Sequence, residues 1–120
     1  MKTILVAEDN LVNRELLREI LETGEYQVVE AENGQEALAK IEETEPDLVL
    51  MDINMPKLDG YGAIQEIRAN PKFCRLPVLA VTAYAMKDDK ERILAAGFDS
   101  YLSKPVNAAA LLQQVKQYVS

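Results

Sequence analysis

The sequence predicts an α/β fold in which helices cover both faces of a parallel five-stranded sheet. Short, wholly apolar segments are typical of buried strands, and amphipathic segments with apolar residues three or four apart lie between them. The two kinds of segment alternate along all 120 residues, which predicts one domain over residues 1–120. Strands that alternate with helices form parallel sheets, because each helix carries the chain back across the sheet.

Five segments are predicted as strands. Residues 4–7, 48–51 and 78–81 are wholly apolar, whereas residues 26–31 and 100–103 mix apolar and polar side chains. Since a central strand of a parallel sheet is covered on both faces, the apolar three are predicted to be central and the mixed two to lie at the edges. Consecutive strands are mostly neighbours, so the predicted order is 2-1-3-4-5, the flavodoxin-like doubly wound arrangement.

A helix is predicted after each strand. Four helices carry apolar residues at helical spacing: Val12, Leu16 and Ile20 with Leu17 and Leu21; Ala37, Leu38 and Ile41; Ile64 and Ile67; and Leu111, Leu112, Val115 and Val119. Gly24, Pro46 and Pro71 are predicted to end the first three, and Asn107 to cap the last. The helix from Lys87 has few apolar residues, so weaker attachment is predicted for it.

The composition excludes several classes of function. Twenty acidic against thirteen basic residues give a net charge of -7, which argues against binding to nucleic acid or to anionic membranes. The absence of histidine excludes Ser-His-Asp triads and His-ligated zinc. A single cysteine, Cys74, no membrane-length apolar run and no signal-peptide pattern favour a reduced, cytoplasmic location. We expect a monomer or weak dimer without an output domain.

Polar residues follow the predicted strands at one edge of the sheet. Glu8 and Asp9 follow the first strand, Asp52 the third, Thr82 the fourth, and Lys104 the fifth. The strand order reverses between strands one and three, and ligands of such sheets bind beyond the carboxyl ends at that point. Each residue has a structural alternative: either aspartate could be a cap, Thr82 favours strands, and Lys104 could be a solvated loop residue. Their joint occurrence at the strand ends favours a functional site.

The residue types indicate phosphoryl chemistry. Carboxylates about 4 Å apart repel by roughly 4 kcal/mol at an effective dielectric constant near 20, so three of them favour a bound cation. Oxygen ligands without histidine or thiolate select a hard ion such as Mg²⁺. With that charge and Lys104 to neutralise phosphoryl oxygens, and Thr82 to donate a hydrogen bond, Asp52 is placed to attack phosphorus.

Four motifs, "VAEDN", "VLMDINMPKLDG", "AVTAYAM" and "YLSKP", resemble those of the receiver domain of two-component response regulators. The resemblance covers essentially the whole chain and is closest to stand-alone receivers of the cell-cycle or phosphorelay type and to receivers of hybrid kinases. It implies a switch that accepts a phosphoryl group from a histidine kinase or histidine phosphotransfer protein, and not an enzyme that turns over a separate substrate. A downstream protein is expected to bind the face formed by helix 4, strand 5 and helix 5.

The resemblance also implies roles for individual residues. Asp52 is expected to be the phosphoacceptor and, with Asp9, to ligate Mg²⁺, with Glu8 assisting through water and the Asn54 backbone carbonyl completing the protein ligands. The other implied roles are phosphoryl binding for Thr82, Ala83 and Lys104; switching for Thr82 and Tyr101; a structural role for Gly60 and for a cis bond before Pro105; and tuning of the phosphorylated lifetime for Asn54 and Tyr84.

Two departures from the family pattern carry expectations of their own. Glu8 stands where many members have aspartate, which is expected to alter outer-shell ligation and little else. Gly62 stands where a larger polar residue is common, which is expected to weaken the start of the third helix.

Three other functions compete with this interpretation. A flavodoxin-like electron carrier needs a Ser/Thr/Gly-rich loop after the first strand to hold a flavin phosphate, whereas "EDN" repels phosphate. A phosphatase of the haloacid dehalogenase type needs D-x-D after its first strand, whereas Asp52 follows the third. A receiver-like scaffold that is never phosphorylated usually lacks the acids or the lysine, and all are present here.

Overall fold

Strands and helices alternate strictly along the chain. The computed structural model describes residues 1–83 and 87–119, without the side chains of residues 87 and 88. The elements, in order, are β1 (Thr3–Ala7), α1 (Leu11–Thr23), β2 (Gln27–Ala31), α2 (Gly34–Thr44), β3 (Leu48–Asp52), α3 (Gly60–Ala69), β4 (Val78–Thr82), α4 (Lys87–Ala96), β5 (Ser100–Ser103) and α5 (Ala108–Val119).

The five strands form one parallel sheet in the order β2-β1-β3-β4-β5. This confirms the predicted fold class and strand order. Every residue of β3 and β4 is buried, as is every residue of β1 after Thr3, whereas β2 and β5 are partly exposed at the two edges. The wholly apolar strands are therefore central because only they can be covered on both faces without burying polar groups.

Alternate residues of the strands divide the core into two layers. Leu5 and Ala7 of β1 belong to the layer under α2, α3 and α4, whereas Ile4 and Val6 belong to the layer under α1 and α5. This alternation follows from the two-residue repeat of a strand, which directs successive side chains to opposite faces. The sheet is thus doubly wound, with two helices on one face and three on the other.

Helix α1 faces the sheet differently from the prediction. Leu17 and Leu21 are buried, but Val12 is 71% exposed and Leu16 is 49% exposed, so treating Val12 and Leu16 as part of the core-facing stripe was wrong. The buried face of α1 also contains Arg14. At about 3.6 residues per turn, Val12 and Leu16 lie on the opposite side of the helix from Arg14. An apolar patch therefore remains on the surface of α1.

The attachment of α4 depends on few apolar side chains, as its sequence predicted. Among the α4 side chains that the structure describes, Ile93 is fully buried, whereas Leu94 is exposed. Two cation–π contacts add to this attachment: the Arg92 guanidinium lies 4.5 Å from the ring centroid of Tyr61, and Lys90 Nζ lies 5.4 Å from that of Tyr101. Whether α4 is also the least stably attached helix stays a prediction.

Within the described residues, no helix has the length and apolar character needed to cross a bilayer.

The predicted cap of the last helix is present, because Asn107 Oδ1 accepts a hydrogen bond from the backbone N–H of Ala110 at 3.0 Å. Helix α1 is capped by Asn10, whose side chain accepts from the N–H of Asn13. Asn10, and not Asp9, therefore caps α1, so the alternative structural role considered for Asp9 does not apply.

Candidate functional site

The register of the sheet brings the predicted polar residues to one rim. Ala7 pairs with Met51, so Glu8 comes directly beside Asp52, the last residue of β3. On the next two strands, Thr82 of β4 pairs with Ser103 of β5 at the same edge, and the N–H of Lys104 donates to the carbonyl of Thr82 at 2.8 Å. Because all strands are parallel, their carboxyl ends meet at the same edge.

Three carboxylates form the centre of the site. One oxygen each from Glu8, Asp9 and Asp52 lie within 4.8 Å of one another. Glu8 and Asp52 are only 1% and 4% exposed, whereas Asp9 is open to solvent. Two of the three negative charges are therefore largely removed from water, where their mutual repulsion is screened least.

Lys104 partly neutralises this cluster. Its Nζ donates to Glu8 Oε1 at 2.8 Å and to Asp52 Oδ2 at 2.9 Å. Burial alone would lower the pKa of Lys104, but the two hydrogen bonds and the two negative charges outweigh it, and the pKa is raised. The lysine is therefore charged at neutral pH, and one positive charge faces three carboxyl groups.

Glu8 bears most of the remaining electrostatic cost. The pKa of Glu8 is raised from its ordinary 4.5 to about 7. Burial is the largest cause, hydrogen bonding to Asp52 and repulsion from its charge also raise the pKa, and Lys104 lowers it. Glu8 Oε2 is buried and has no hydrogen-bond partner among the described residues. A proton on Glu8 would be shared with the Asp52 carboxyl and relieve both the repulsion and the missing bond.

These features fit a divalent cation. The donors are carboxylate oxygens, which are the ligands that Mg²⁺ prefers. The orphaned Glu8 Oε2 is a buried acceptor that a cation would satisfy, and the net negative charge of the cluster would be offset by it. The expected assistance of Glu8 to the metal through water stays a prediction, and the structure pairs its side chain directly with Lys104.

The loop after β3 holds Asp52 in place. The backbone N–H of Asn54 donates to Asp52 Oδ1 at 3.1 Å, and the N–H of Gly60 donates to the carbonyl of Ile53 at 2.9 Å. A Cβ on Gly60 would lie 2.8 Å from Ile53 Cα and 2.9 Å from the Asp52 carbonyl oxygen. Only glycine therefore permits the start of α3 to approach the end of β3 this closely.

At position 62, near the start of α3, glycine avoids a close contact with the side chain of Leu58. A Cβ there would come within 2.5 Å of Leu58 Cδ1, in the side chain of the loop residue that packs over it. Its N–H donates to Asp59 Oδ1 at 2.8 Å, which caps the helix. The helix begins at Gly60 in spite of the glycine at position 62, whose effect on helix stability stays a prediction.

The residues predicted to respond to phosphorylation lie along β4 and β5. Thr82 is buried at the rim, and Ala83 after it is exposed. The Tyr101 side chain is half-buried and packs against the core layer under α2, α3 and α4, with Lys90 of α4 near its ring. The Lys104–Pro105 bond is cis, as the resemblance implied. Tyr84 lies outside the described residues, so its proposed effect on lifetime stays a prediction.

Sequence reasoning overlooked Arg14. Its guanidinium is buried behind the rim, and its Nη1 donates to the backbone carbonyl of Glu8 at 2.9 Å. Arg14 lies outside every motif used for the site, and a lone arginine in a helix is normally a surface residue. The only signal available was its position on the same face as Leu17 and Leu21.

The chain belongs to the response regulator receiver domain family. The family model matches residues 4–116, which include all the rim residues described above. This confirms the resemblance on which the roles of those residues were predicted.

Individual relatives agree with this assignment. The chain is 37% identical to the polar-differentiation response regulator DivK of Brucella anthropi, over 98% of this chain and 96% of that protein. The receiver domain of sensor histidine kinase PA1611 from Pseudomonas aeruginosa, crystallised with a magnesium ion coordinated in its active site cleft, is 37% identical over 98% of this chain and 97% of that one, with a TM-score of 0.91.

A second solved structure contains a partner. It is the co-crystal structure of the Saccharomyces cerevisiae histidine phosphotransfer signaling protein Ypd1 with the receiver domain of its downstream response regulator Ssk1. That match is 30% identical over 98% of this chain and 88% of that one, with a TM-score of 0.91. Receivers thus pair with phosphotransfer proteins in at least this relative.

The raised pKa of Glu8 predicts the pH dependence of stability without metal. Between pH 4.5 and about 7 the folded protein holds a proton on Glu8 that the unfolded chain has released, so the free energy of unfolding should fall as pH rises. At about 1.4 kcal/mol for each pKa unit, a rise from 4.5 to about 7 predicts a fall on the order of 3–4 kcal/mol. Urea unfolding at several pH values, with chelator present, measures it.

Glu8→Gln is the matched control for this experiment, because it keeps the shape and removes the titration. The fall should be much smaller in the variant, and saturating Mg²⁺ should flatten it in the wild type, since the cation competes with the proton. An equal fall in both proteins would show that another group titrates.

Proposed function

We propose that this protein is a phosphorylation-operated switch whose Asp52 accepts a phosphoryl group from a phosphohistidine of another protein. The observation that carries the proposal is the shared bonding of the buried Asp52 carboxylate, which accepts from Lys104 Nζ and from the Asn54 N–H. Two donors on one carboxylate restrict its orientation, and such orientation lowers the entropic part of a transfer barrier. These 120 residues contain no histidine, so the phosphohistidine donor lies outside them.

The transfer itself needs little more than the residues at the rim. An Asp52 carboxylate oxygen forms the new bond to phosphorus while the bond from phosphorus to the histidine nitrogen breaks, and that nitrogen leaves with its electron pair. Lys104, released in part from Asp52, follows the negative charge onto the phosphoryl oxygens. Thr82 and Ala83 lie at the end of β4, where they are proposed to bind the same oxygens.

Glu8, Asp9 and Asp52, with the backbone carbonyl of Asn54, are the residues that would hold Mg²⁺. When bound, the ion supplies positive charge that offsets charge on the phosphoryl group during transfer. The product is an acyl phosphate on the protein itself, so we propose a switch and not an enzyme that turns over a separate substrate. Asn54 and Tyr84 are proposed to tune how long that product lasts.

The donor protein is proposed to dock on the exposed apolar patch of α1, formed by Leu11, Val12 and Leu16. These three side chains are exposed although each is large and apolar. Leu16 also lines a groove with Lys104, Pro105 and Val106, so the patch continues to the rim. Apolar surface next to a polar site is typical of a protein-binding surface.

The downstream partner is proposed to read the face of α4, β5 and α5. Tyr101 lies between α4 and α5: Lys90 is near its ring, and Gln114 Nε2 donates to its backbone carbonyl at 3.3 Å. A shift of Thr82 toward a phosphoryl group would open space for the ring and change how α4 packs.

The exposed free thiol of Cys74 fits the cytoplasmic location expected for such a protein.

Phosphorylation should occur on Asp52 alone. With Mg²⁺ and acetyl phosphate, one acid-stable and base-labile phosphoryl group should appear, because acyl phosphates hydrolyse readily in base; intact-mass spectrometry measures it. Asp52→Asn should abolish the modification. Asp59→Asn is the control, since Asp59 is a nearby exposed carboxylate that caps α3 and asparagine caps equally well. Modification that persists in Asp52→Asn would contradict the assignment.

The α1 patch should matter only for protein donors. Val12→Gln with Leu16→Gln should slow transfer from a phosphorylated histidine phosphotransfer protein on the order of tenfold, since losing central interface contacts costs about 1–2 kcal/mol. The rate with acetyl phosphate should not change. Leu94→Gln removes an equally exposed leucine from α4 and should leave both rates unchanged. Equal slowing with both donors would place the effect at the site and not at a docking surface.

Phosphorylation should alter hydrogen exchange mainly between residues 82 and 104, because the proposed switch residues and α4 lie there. Residues 34–44 of α2 serve as the internal reference. They are far from Tyr101 in the chain, and they follow β2, which lies at the opposite edge of the sheet from the strand that carries Tyr101. Mass spectrometry of the protein with and without acetyl phosphate measures this. Changes confined to peptides around Asp52 would refute the coupling to Tyr101.

A further inference from the structure

One buried charge has no part in the function proposed above. Among the described residues, the buried polar or charged side chains are Glu8, Arg14, Asp52 and Thr82. Three of them line the rim. Arg14 is 7% exposed and lies in the first turns of α1, on the face that packs against the sheet. A buried guanidinium requires partners for its donors, because an unpaired one costs several kcal/mol.

The three partners of Arg14 come from two segments of the chain, the residue after β1 and the end of β2. Nη1 donates to the backbone carbonyl of Glu8 at 2.9 Å, Nε donates to Glu30 Oε1 at 3.0 Å, and Nη2 lies 3.6 Å from Glu32 Oε1. The first of these is the carbonyl of the peptide that joins Glu8 to Asp9. That peptide lies beyond the last residue of β1, so Arg14 supplies a hydrogen bond there that sheet pairing does not.

The plane of the guanidinium is set by the edge strand. Glu30 of β2 accepts from Arg14 through one oxygen and from Arg18 Nη1 through the other, at 2.8 Å. Because the guanidinium group is planar, a carboxylate that fixes the position of Nε also fixes the directions in which the two Nη atoms donate. The direction of Nη1 toward the Glu8 carbonyl is therefore maintained from outside the site.

We propose that Arg14 is a positioning residue for the metal-binding acids, and this inference rests on the proposed function. Its bond to the Glu8 carbonyl fixes the peptide from which the Glu8 and Asp9 side chains diverge, and so keeps their oxygens near those of Asp52. Residues that orient metal ligands through such contacts typically change metal affinity 10–100-fold when they are replaced.

The sign of the effect separates positioning from charge. Arg14 is a cation close to an anionic cluster, so through its charge alone it weakens the binding of Mg²⁺, and its removal would tighten binding. Through positioning it strengthens binding, and its removal would weaken it. A residue that served stability only would change the free energy of unfolding and leave the affinity of the folded protein unchanged.

The test is the Mg²⁺ dissociation constant of the whole chain, measured by isothermal titration calorimetry on protein shown to be folded by circular dichroism. Arg14→Met should raise it on the order of tenfold or more. Arg14→Lys keeps the charge but lacks the fork, and should also raise it. Arg18→Met is the matched control, since Arg18 shares Glu30 but does not contact Glu8, and should change it less than about twofold.

A second readout does not depend on metal. In the metal-free protein, Arg14→Met should shift the backbone amide resonance of Asp9 in ¹⁵N–¹H spectra, whereas Arg18→Met should not. If Arg14→Met does not fold, Arg14→Lys carries the test, because it keeps the charge and a long side chain but lacks the fork; it should raise the dissociation constant as well.

An unchanged or lower dissociation constant in folded Arg14→Met or Arg14→Lys would overturn the inference. Failure of the proposed function would look different: the wild type itself would then show neither Mg²⁺ binding nor phosphorylation of Asp52, while the amide shift of Asp9 would still report on the role of Arg14.

Discussion

The structure depends on one electrostatic constraint, the crowding of three carboxylates at the buried ends of two neighbouring strands. Glu8 and Asp52 are almost fully buried, and Lys104 alone cannot balance them together with Asp9. The metal-free fold therefore holds excess negative charge that a proton or a cation relieves. An apolar end to these strands would be more stable, and the cost is tolerable because the rest of the sheet is so thoroughly buried.

The fold, and the residues that lie at the carboxyl edge of the sheet, could be predicted because both follow from the spacing of apolar and polar residues along the chain. Wholly apolar strands must be central and consecutive strands are mostly neighbours, and the order 2-1-3-4-5 follows from these two facts. Polar residues at the carboxyl ends of parallel strands must then meet at one edge. The rotation of α1 could not be predicted in the same way. Val12, Leu16, Leu17 and Leu21 are all apolar, so the pattern did not reveal that a buried arginine would share a face with only two of them.

Contacts between residues far apart in the chain were also out of reach. Glu8 and Lys104 are separated by 96 positions, and their ion pair depends on side-chain length and rotamer, which no local pattern encodes. The Glu8 side chain reaches the lysine directly, and its expected effect on outer-shell ligation stays a prediction. Arg14 escaped notice for a related reason, since its partner at the site is a backbone carbonyl, which every residue possesses.

The two core layers separate the proposed donor patch on α1 from the side chain of Tyr101. The apolar patch of Leu11, Val12 and Leu16 belongs to α1, on the same side of the sheet as α5, whereas Tyr101 packs against the layer under α2, α3 and α4. Asp52 lies at the rim between these layers. A donor bound on α1 would therefore leave the Tyr101 side of the sheet uncovered, and the change at Thr82 would travel through β4 and β5 and away from the donor. Under this proposal, a bound donor leaves the α4 part of the output face free, whereas α5, which lies on the same side of the sheet as α1, is the part where donor and downstream partner would compete.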